Sequence, residues 1–315
     1  MTITRHVAVT GGGGFIGSHL CRALLDRGDR VTAIDNFCTG HEANIDPILD
    51  ESQFRLQLGD ICDPDTFAGI TDITDIVHLA CPASPKANAA MPIDTIRAAT
   101  VGTLNVLELA HHVGARCVVA SSSEVYGDPL VHPQAEDYRG NCDPVGAHSA
   151  YTEGKRVAEA AAAAYQRIGA NVGIVRPFNV YGPNMWPDDG RVIAAFCSAA
   201  LRGETLRLEG GGTQTRSLVW VGDFIAGLIA MLDSEEAGPI NLGSTDEITI
   251  ADLAQLVIDR AGSGSVQIAP GRDEVVAVRR PDITRAHTLL GWQPHTCLAD
   301  GLTITVQWMR AVLQP

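Results

Sequence analysis

The sequence has few aromatic side chains, no long apolar run and no excess of positive charge. Aromatic residues make up 5% of its 315 residues, whereas hydrophobic residues as a whole make up 45%. A core of aliphatic and small side chains is typical of parallel sheets that are covered by helices. The formal net charge of -14 argues against nucleic acid or an anionic membrane as a partner. It does not exclude a small anionic substrate, because local arginines can bind one.

Patterns for membrane insertion, secretion and metal binding are also absent. No apolar stretch is long enough to cross a bilayer, and the first residues, MTITRHVAVTGGGG, contain no apolar secretory region. The eight cysteines form no Cys-x-x-Cys pair, and the ten histidines show no metal-ligand spacing. We therefore expect a cytoplasmic protein with reduced thiols and without a bound metal.

Short apolar strands alternate with helices over the first half of the chain. Strands are predicted at 6–11, 30–36, 54–60, 75–80, 116–122 and 171–179, and helices at 15–28, 93–114 and 149–169. This alternation predicts an α/β protein with a Rossmann-like, doubly wound parallel sheet. After about residue 177, loops such as YGPNMWPDDG become frequent. We assign 1–177 to an NAD-binding domain and 178–315 mainly to a smaller C-terminal substrate-binding lobe, and we expect the chain to return to the sheet.

A glycine-rich turn joins the first predicted strand to the first helix. Gly14 and Gly17, preceded by either Gly11 or Gly12, fit the dinucleotide-binding fingerprints. Glycine permits the tight turn, and the helix N-terminus supplies N–H donors to a pyrophosphate. Asp35 ends the second strand, where a carboxylate accepts hydrogen bonds from the adenosine ribose and repels a 2′-phosphate. The pattern predicts NAD as the cofactor in preference to NADP.

Asp60 follows the third predicted strand, and two interpretations of it are open. Its carboxylate either accepts a hydrogen bond from the adenine amino group or caps the end of the strand. We include it among the candidate cofactor-binding residues, with Phe15, Ile16, Asn36, Ile61 and Ala80.

Tyr151 and Lys155 lie four residues apart on a predicted helix and therefore on one face of it. A nearby ammonium favours the phenolate, which would make the tyrosine a usable base near neutral pH. Such pairs are common by chance. Here the pair follows a dinucleotide fingerprint and three polar residues at the end of the fifth strand, Ser122, Ser123 and Glu124. The combination indicates a catalytic site.

These motifs together resemble the extended short-chain dehydrogenase/reductase family, the NAD-dependent epimerases and dehydratases. Within it, the sequence is most similar to the UDP-glucuronate decarboxylases, or UDP-xylose synthases. The resemblance runs over nearly the whole length, in DNFCTG, HLACPASP, SSSEVYGDPLVHPQAEDY, EGKRVAE, RPFNVYGPNM, DDGRV, GGTQTRS, NLGS and RRPDITRAHTLLGWQP. The stretches ACPASP and SEVYGDP are typical of that branch rather than of the superfamily.

The resemblance implies a reaction that starts by oxidation of the sugar C4 hydroxyl, with Tyr151 taking the proton and Lys155 assisting. The C4 ketone lies β to the C6 carboxylate, which then leaves as CO2, and the same NADH reduces the ketone. Catalytic roles follow for the triplet 122–124. Arg279 is expected to bind the carboxylate or assist protonation, with a structural salt bridge as the alternative.

By the same resemblance, Asn179, Arg191 and Arg216 are expected to contact the diphosphate or uridine, because an arginine fork binds two phosphate oxygens. Asn88 and His148 are substrate-binding candidates that replace the family's tyrosine and arginine. Three more positions depart from the family pattern, namely Ala99, Thr152 and Asn184. A less usual glucuronide or hexose nucleotide is therefore left open as the substrate.

Three alternatives to decarboxylation remain. C4 epimerisation uses the same oxidation, but epimerases of this family usually carry a small residue at the position of Glu124. The 4,6-dehydratases usually carry an aspartate at the position of Ser123. A non-catalytic NAD-binding relative is disfavoured by the presence of Tyr151 and Lys155. We also expect a homodimer formed by the helices at 93–114 and 149–169, where the alanine-rich segment Ala160–Ala164 either packs on a partner or belongs to the core.

Overall fold

The computed structural model describes residues 5–270 and 277–314, and a parallel β-sheet lies at its centre. The strands are β1 (His6–Thr10), β2 (Arg30–Asp35), β3 (Phe54–Leu58), β4 (Asp75–His78), β5 (Arg116–Ala120), β6 (Val172–Pro177), β7 (Val180–Tyr181), β8 (Thr205–Glu209), β9 (Thr215–Ser217), β10 (Val219–Trp220), β11 (Ile240–Leu242), β12 (Glu247–Thr249) and β13 (Ser265–Ala269). The helices are α1 (Phe15–Asp26), α2 (Pro85–Ala90), α3 (Pro92–Arg97), α4 (Thr103–Val113), α5 (Ser149–Arg167), α6 (Val192–Leu201), α7 (Val221–Asp233), α8 (Ile250–Ala261), α9 (Thr284–Leu290) and α10 (Leu298–Leu313).

The central sheet has seven strands in the order β11-β6-β5-β4-β1-β2-β3, and all neighbours are parallel. The order reverses beside β1, so the sheet is doubly wound and the predicted Rossmann-like α/β fold is confirmed. Strands β1 and β5 are buried along their whole length. They consist largely of small and β-branched residues because helices cover both faces of the sheet.

The chain leaves the sheet after β6 and returns to it with α7 and β11. Phe224 and Leu228 of α7 share one apolar core with Val7 and Leu24 of the first strand and helix. A second apolar core lies in the C-terminal lobe, where α6, α8 and α10 pack together around residues such as Leu253. The cofactor-binding half of the fold therefore uses residues from both sides of position 177.

The helix predicted over 93–114 differs from a continuous α-helix in one detail. Between α3 and α4 the chain forms a π-helical turn over 98–102, so the helix is not uniformly α-helical. At this turn Gly102 lies against the Ile61 side chain, which leaves no room for a Cβ. Helix α4 then ends at Gly114, whose φ of 71° is readily adopted only by a residue without a side chain.

A buried polar network joins the end of β5 to β6 and α5. The Arg176 guanidinium donates to both carboxylate oxygens of Glu159, over 2.8 and 2.7 Å, and to the Tyr126 hydroxyl over 2.9 Å. The Ser121 hydroxyl donates to the same Glu159 carboxylate over 2.6 Å. The network sets the distance between the fifth strand and the helix that carries Tyr151.

No described helix is long and apolar enough to cross a membrane. Within residues 5–270 and 277–314, no group of three or more His, Cys, Asp or Glu side chains could hold a metal ion.

Replacing Arg176 by alanine would leave the largely buried Glu159 carboxylate without its charged partner. We expect Arg176→Ala to lower the free energy of unfolding by about 3–5 kcal/mol in urea denaturation. The matched control is Arg30→Ala, because Arg30 pairs with Asp72 at the surface, where both side chains are about half exposed. That variant should lose less than about 1 kcal/mol. Equal losses in the two variants would contradict a structural role for the network.

Candidate active site

A cavity of about 1090 Å³ runs along the edge of the sheet at which the parallel strands end. Open α/β sheets bind ligands at this edge, where the strand order reverses. The cavity brings together most of the residues that the sequence singles out. They are Gly11, Gly14, Phe15, Ile16, Gly17, Asp35, Asn36, Asp60, Ile61, Ala80, Ser122, Ser123, Glu124, Tyr151, Lys155, Asn179, Arg191 and Arg216.

The glycine turn fits a dinucleotide. Gly11 has a φ of +75°, and a Cβ there would lie 2.9 Å from the backbone of Ala80. A Cβ on Gly17 would lie 2.0 Å from the Gly11 carbonyl oxygen, so only glycine lets α1 start this close to β1. Within the described chain, no side chain caps the N-terminus of α1 at Gly14. The N–H groups and the positive end of the helix dipole therefore face a cavity suited to a pyrophosphate.

Asp35 lies at the end of β2 and is tied to the glycine turn. Its carboxylate accepts hydrogen bonds from the backbone N–H of Gly13 and of Phe37, both over 2.8 Å. Burial raises the pKa of Asp35, and these backbone donors act in the opposite direction. The carboxylate is thus held at the cavity wall where a ribose is expected.

Asp60 is exposed at the cavity edge and stabilises the turn that follows β3. Its oxygens accept from the Cys62 backbone N–H over 2.8 Å and from the Asn36 amide over 3.3 Å. The first bond fits the strand-end interpretation, while the position in the cavity wall leaves the adenine contact possible. Both roles therefore stay predictions.

Tyr151 and Lys155 lie on the buried face of α5. The Lys155 ammonium donates to the Ala120 carbonyl at the end of β5 over 2.8 Å and lies 5.8 Å from the centre of the Tyr151 ring. Burial raises the pKa of the Tyr151 phenol well above its ordinary value, and the neighbouring Ser122 hydroxyl and the Arg191 charge only partly oppose this. The expected lowering of the phenol pKa by Lys155 stays a prediction.

The triplet after β5 forms a short 3-10 turn over 123–126. The Ser122 hydroxyl accepts the backbone N–H of Glu124 over 3.1 Å and so begins this turn. Ser123 is buried, and the Glu124 side chain forms a salt bridge with Arg279. The turn thereby presents a hydroxyl and a carboxylate to the same cavity as Tyr151.

Arg279 lies behind Glu124 and is not among the residues that line the cavity. Its guanidinium also donates to the Gly127 carbonyl over 3.0 Å, and its buried Nε has no hydrogen-bond partner among the residues that the structure describes. The pairing of Arg279 with Glu124, which is 155 residues away along the chain, was not inferred from the sequence. No local sequence pattern could have indicated it.

Three residues of the C-terminal lobe line the cavity, namely Asn179, Arg191 and Arg216. Arg216 donates to the Thr215 carbonyl over 2.7 Å, and burial together with the nearby Arg279 charge lowers its pKa to about 10. Asn179 donates to the Ser217 carbonyl over 3.2 Å, and Arg191 precedes α6. An anionic ligand would offset the cost of burying the Arg216 charge.

Besides Arg279, two substrate-binding candidates do not line the cavity, namely Asn88 and His148. The Asn88 amide oxygen accepts from the Thr95 hydroxyl over 3.3 Å, within the α2–α3 region. His148 is exposed at the start of α5. Asn184, by contrast, does line the cavity and donates to the Ser18 hydroxyl over 3.0 Å. Contacts of Asn88 and His148 with a substrate stay predictions.

Comparison with known proteins agrees with the geometry of the site. The model of the NAD dependent epimerase/dehydratase family matches residues 7–243. The chain belongs to this family. The predicted resemblance is thereby confirmed, and NAD is the cofactor, for which the glycine turn and Asp35 provide a fitting site.

Relatives within the family carry more specific names. The chain is 45% identical to UDP-glucuronic acid decarboxylase 4 of Arabidopsis thaliana, over 96% of this chain and 68% of the relative. It is 43% identical to UDP-glucuronic acid decarboxylase 1 of Danio rerio, over 98% of this chain and 74% of the relative. Among solved structures, a dTDP-glucose 4,6-dehydratase of Streptomyces venezuelae with bound NAD is 30% identical, with a TM-score of 0.89 over 97% of each chain.

The raised pKa of Tyr151 can be tested in protein stripped of NAD. Because burial favours the neutral phenol, Tyr151 should stay protonated at about pH 10, where an ordinary tyrosine is half ionised. Ultraviolet titration of the unsubstituted protein and of Tyr151→Phe should therefore give superimposable phenolate curves up to that pH. One additional phenolate per molecule in the unsubstituted protein below that pH would contradict this description of the site.

Proposed function

We propose that the chain catalyses the NAD-dependent decarboxylation of a UDP-linked glucuronic acid through a transient C4 ketone. The observation that carries the proposal is the identity of 42–45% with proteins named UDP-glucuronic acid decarboxylases, over 94–98% of this chain. The cavity supports it, because Glu124 and Tyr151 line it together with the NAD-binding turn. The chemistry of a β-keto acid supports it further, since the electrons released with CO2 enter an enolate.

Each residue of the site has a role in this proposal. When bound, NAD takes a hydride from the sugar C4 and later returns it. Tyr151 accepts the proton of the C4 hydroxyl in its phenolate form, which the Lys155 ammonium, held by the Ala120 carbonyl, stabilises once NAD and substrate are bound. Glu124 moves a proton at the sugar in a later step, and the ion pair with Arg279 orients its carboxylate. Ser122 hydrogen-bonds the reacting oxygen, and the buried Ser123 lines the same cavity.

The charge of the cavity suits a nucleotide diphosphate. The chain is acidic overall, yet Arg191 and Arg216 both line the cavity. The Arg216 guanidinium is buried and hydrogen-bonds only a carbonyl among the described contacts. We propose that these arginines bind the diphosphate and that Asn179 contacts the nucleotide.

A mass-spectrometric assay tests the reaction. Purified protein with NAD is offered UDP-, dTDP- and CDP-linked uronic acids and neutral hexoses, and the product masses are measured. We expect the UDP-linked glucuronic acid to lose CO2. Loss of CO2 from another uronic acid instead would support decarboxylation as the reaction but would change the substrate that we assign. Conversion of a neutral hexose without decarboxylation of any uronic acid, by loss of water or with unchanged mass, would refute the proposal.

Two variants in the same assay separate the proposed roles. Tyr151→Phe should abolish formation of both NADH and product, by about 10²-fold or more, because the base of the first step is lost. Glu124→Gln should leave the initial oxidation nearly unchanged and slow product formation, so a keto-sugar or NADH should accumulate. Equal loss of the first step in both variants would contradict separate roles.

We also propose that the protein is a cytoplasmic homodimer. The dimer is supported by exposed apolar residues on adjacent helical segments, namely Val101, Leu104 and Val157, with relative exposures of 42–45%. Ala160 and Ala164 lie exposed on α5 near Val157, whereas the intervening Ala162 is buried in the core. The location is supported by the eight cysteines, all of which are free thiols.

Sedimentation velocity tests the dimer. The unsubstituted protein should sediment as a dimer, and Val157→Glu as a monomer, because a charge would be buried in the paired helices. Leu289→Glu is the matched control, because Leu289 is similarly exposed but lies on α9, away from these helices. A monomeric unsubstituted protein, or equal behaviour of the two variants, would contradict the proposed interface.

A further inference from the structure

The loop after β2 lies directly on the glycine turn. The His41 backbone N–H donates to the Gly13 carbonyl over 3.1 Å, and the Asn44 side-chain amide donates to the same oxygen over 3.0 Å. Asn44 is buried, although it belongs to a loop. The segment around His41 and Asn44 is therefore fastened to the part of the chain that is suited to the pyrophosphate of NAD.

The loop between β7 and α6 reaches the same region from the C-terminal lobe. The His19 ring nitrogen hydrogen-bonds the Pro183 carbonyl over 3.0 Å, and the Asn184 amide donates to the Ser18 hydroxyl over 3.0 Å. Asn184 has a φ of 65°, a conformation that asparagine tolerates better than most residues. This second loop is therefore held against α1, immediately after the glycine turn.

Trp186 joins the two loops. Its ring stacks on His41, with 4.2 Å between ring centres and an angle of 22° between the planes. Its indole N–H donates to the Asn44 side-chain oxygen over 2.9 Å. All three side chains line the cavity. Stacking and a hydrogen bond to a buried amide make this a two-point contact between the cofactor-binding half and the C-terminal lobe.

We propose that Trp186, His41 and Asn44 form a latch that keeps NAD in its site between catalytic cycles. Because these three residues line the same cavity as the glycine turn, a dinucleotide bound there would leave only after the two loops separate. Separation requires loss of the stacked contact and of the indole hydrogen bond. The inference rests on the NAD site of the family and not on which sugar reacts. It assigns Trp186 a role in cofactor retention and none in the chemical steps.

The release rate of NAD from the holoenzyme tests the latch. Holoenzyme is diluted into an NAD-consuming dehydrogenase with its substrate, and the rate of NADH fluorescence gives NAD release. We expect release about tenfold faster in Trp186→Ala. Trp186→Phe, which keeps a stacked ring but loses the donor, should be intermediate. Trp308→Phe is the control, because Trp308 contacts the edge of the Trp186 ring but does not line the cavity. It should release NAD at the unsubstituted rate.

A second pair of variants distinguishes a latch from a general loss of structure. His41→Ala removes the stacked ring and should speed NAD release, whereas His41→Phe keeps it and should restore slow release. The KM for the nucleotide sugar should stay unchanged in both. Release within about twofold of the unsubstituted rate in both Trp186 variants would overturn the proposal. Equal acceleration in His41→Ala and His41→Phe would also overturn it. Should Trp186→Ala not fold, the comparison of Trp186→Phe with Trp308→Phe decides.

Discussion

The buried ion pair between Glu159 and Arg176 is the interaction on which the site geometry depends. It joins α5 to β6, and the Ser121 hydroxyl adds the end of β5 to the same carboxylate. Helix α5 and the end of strand β5 carry the proposed catalytic groups, since Tyr151 and Lys155 precede Glu159 on α5 and the polar triplet follows Ser121. A largely buried ion pair tolerates little change in geometry, because either charge alone would be costly to bury. The network therefore keeps the phenol, the ammonium and the carboxylate at constant separation.

Positively charged arginine side chains line the cavity, although the chain as a whole is acidic. A protein with a net charge of -14 repels anions at long range, yet two arginines line the cavity from the C-terminal lobe. Burial lowers the pKa of Arg216, which means that the positive charge of its guanidinium is disfavoured in this position. The buried Arg279 charge is instead neutralised by Glu124. A bound diphosphate would provide a countercharge for Arg216, whereas Arg191 already pairs with Asp189 over 3.3 Å.

The parts of the site that could be predicted from the sequence are those that lie close together along the chain. The turn from Gly11 to Gly17 and the carboxylate of Asp35 have fixed positions relative to one strand–helix–strand unit, so their spacing is readable. Tyr151 and Lys155 are four residues apart on one helix. The pairing of Glu124 with Arg279 was not predictable, because it joins segments 155 residues apart and depends on how the C-terminal lobe packs. The same holds for Trp186, which the sequence shows only as part of a loop.

The sequence by itself determined the class of fold, the cofactor and the family. Strand and helix periodicity, the glycine turn and the Tyr-x-x-x-Lys pair are local properties, and local sterics and hydrogen bonding dictate them. Only the tertiary structure decided which groups contact each other and which side chains are buried. It paired Lys155 with a backbone carbonyl, buried Tyr151 so that its pKa rises, and left Asn88 outside the cavity wall. These outcomes depend on burial and on contacts between distant segments, and both arise only when the whole chain is packed.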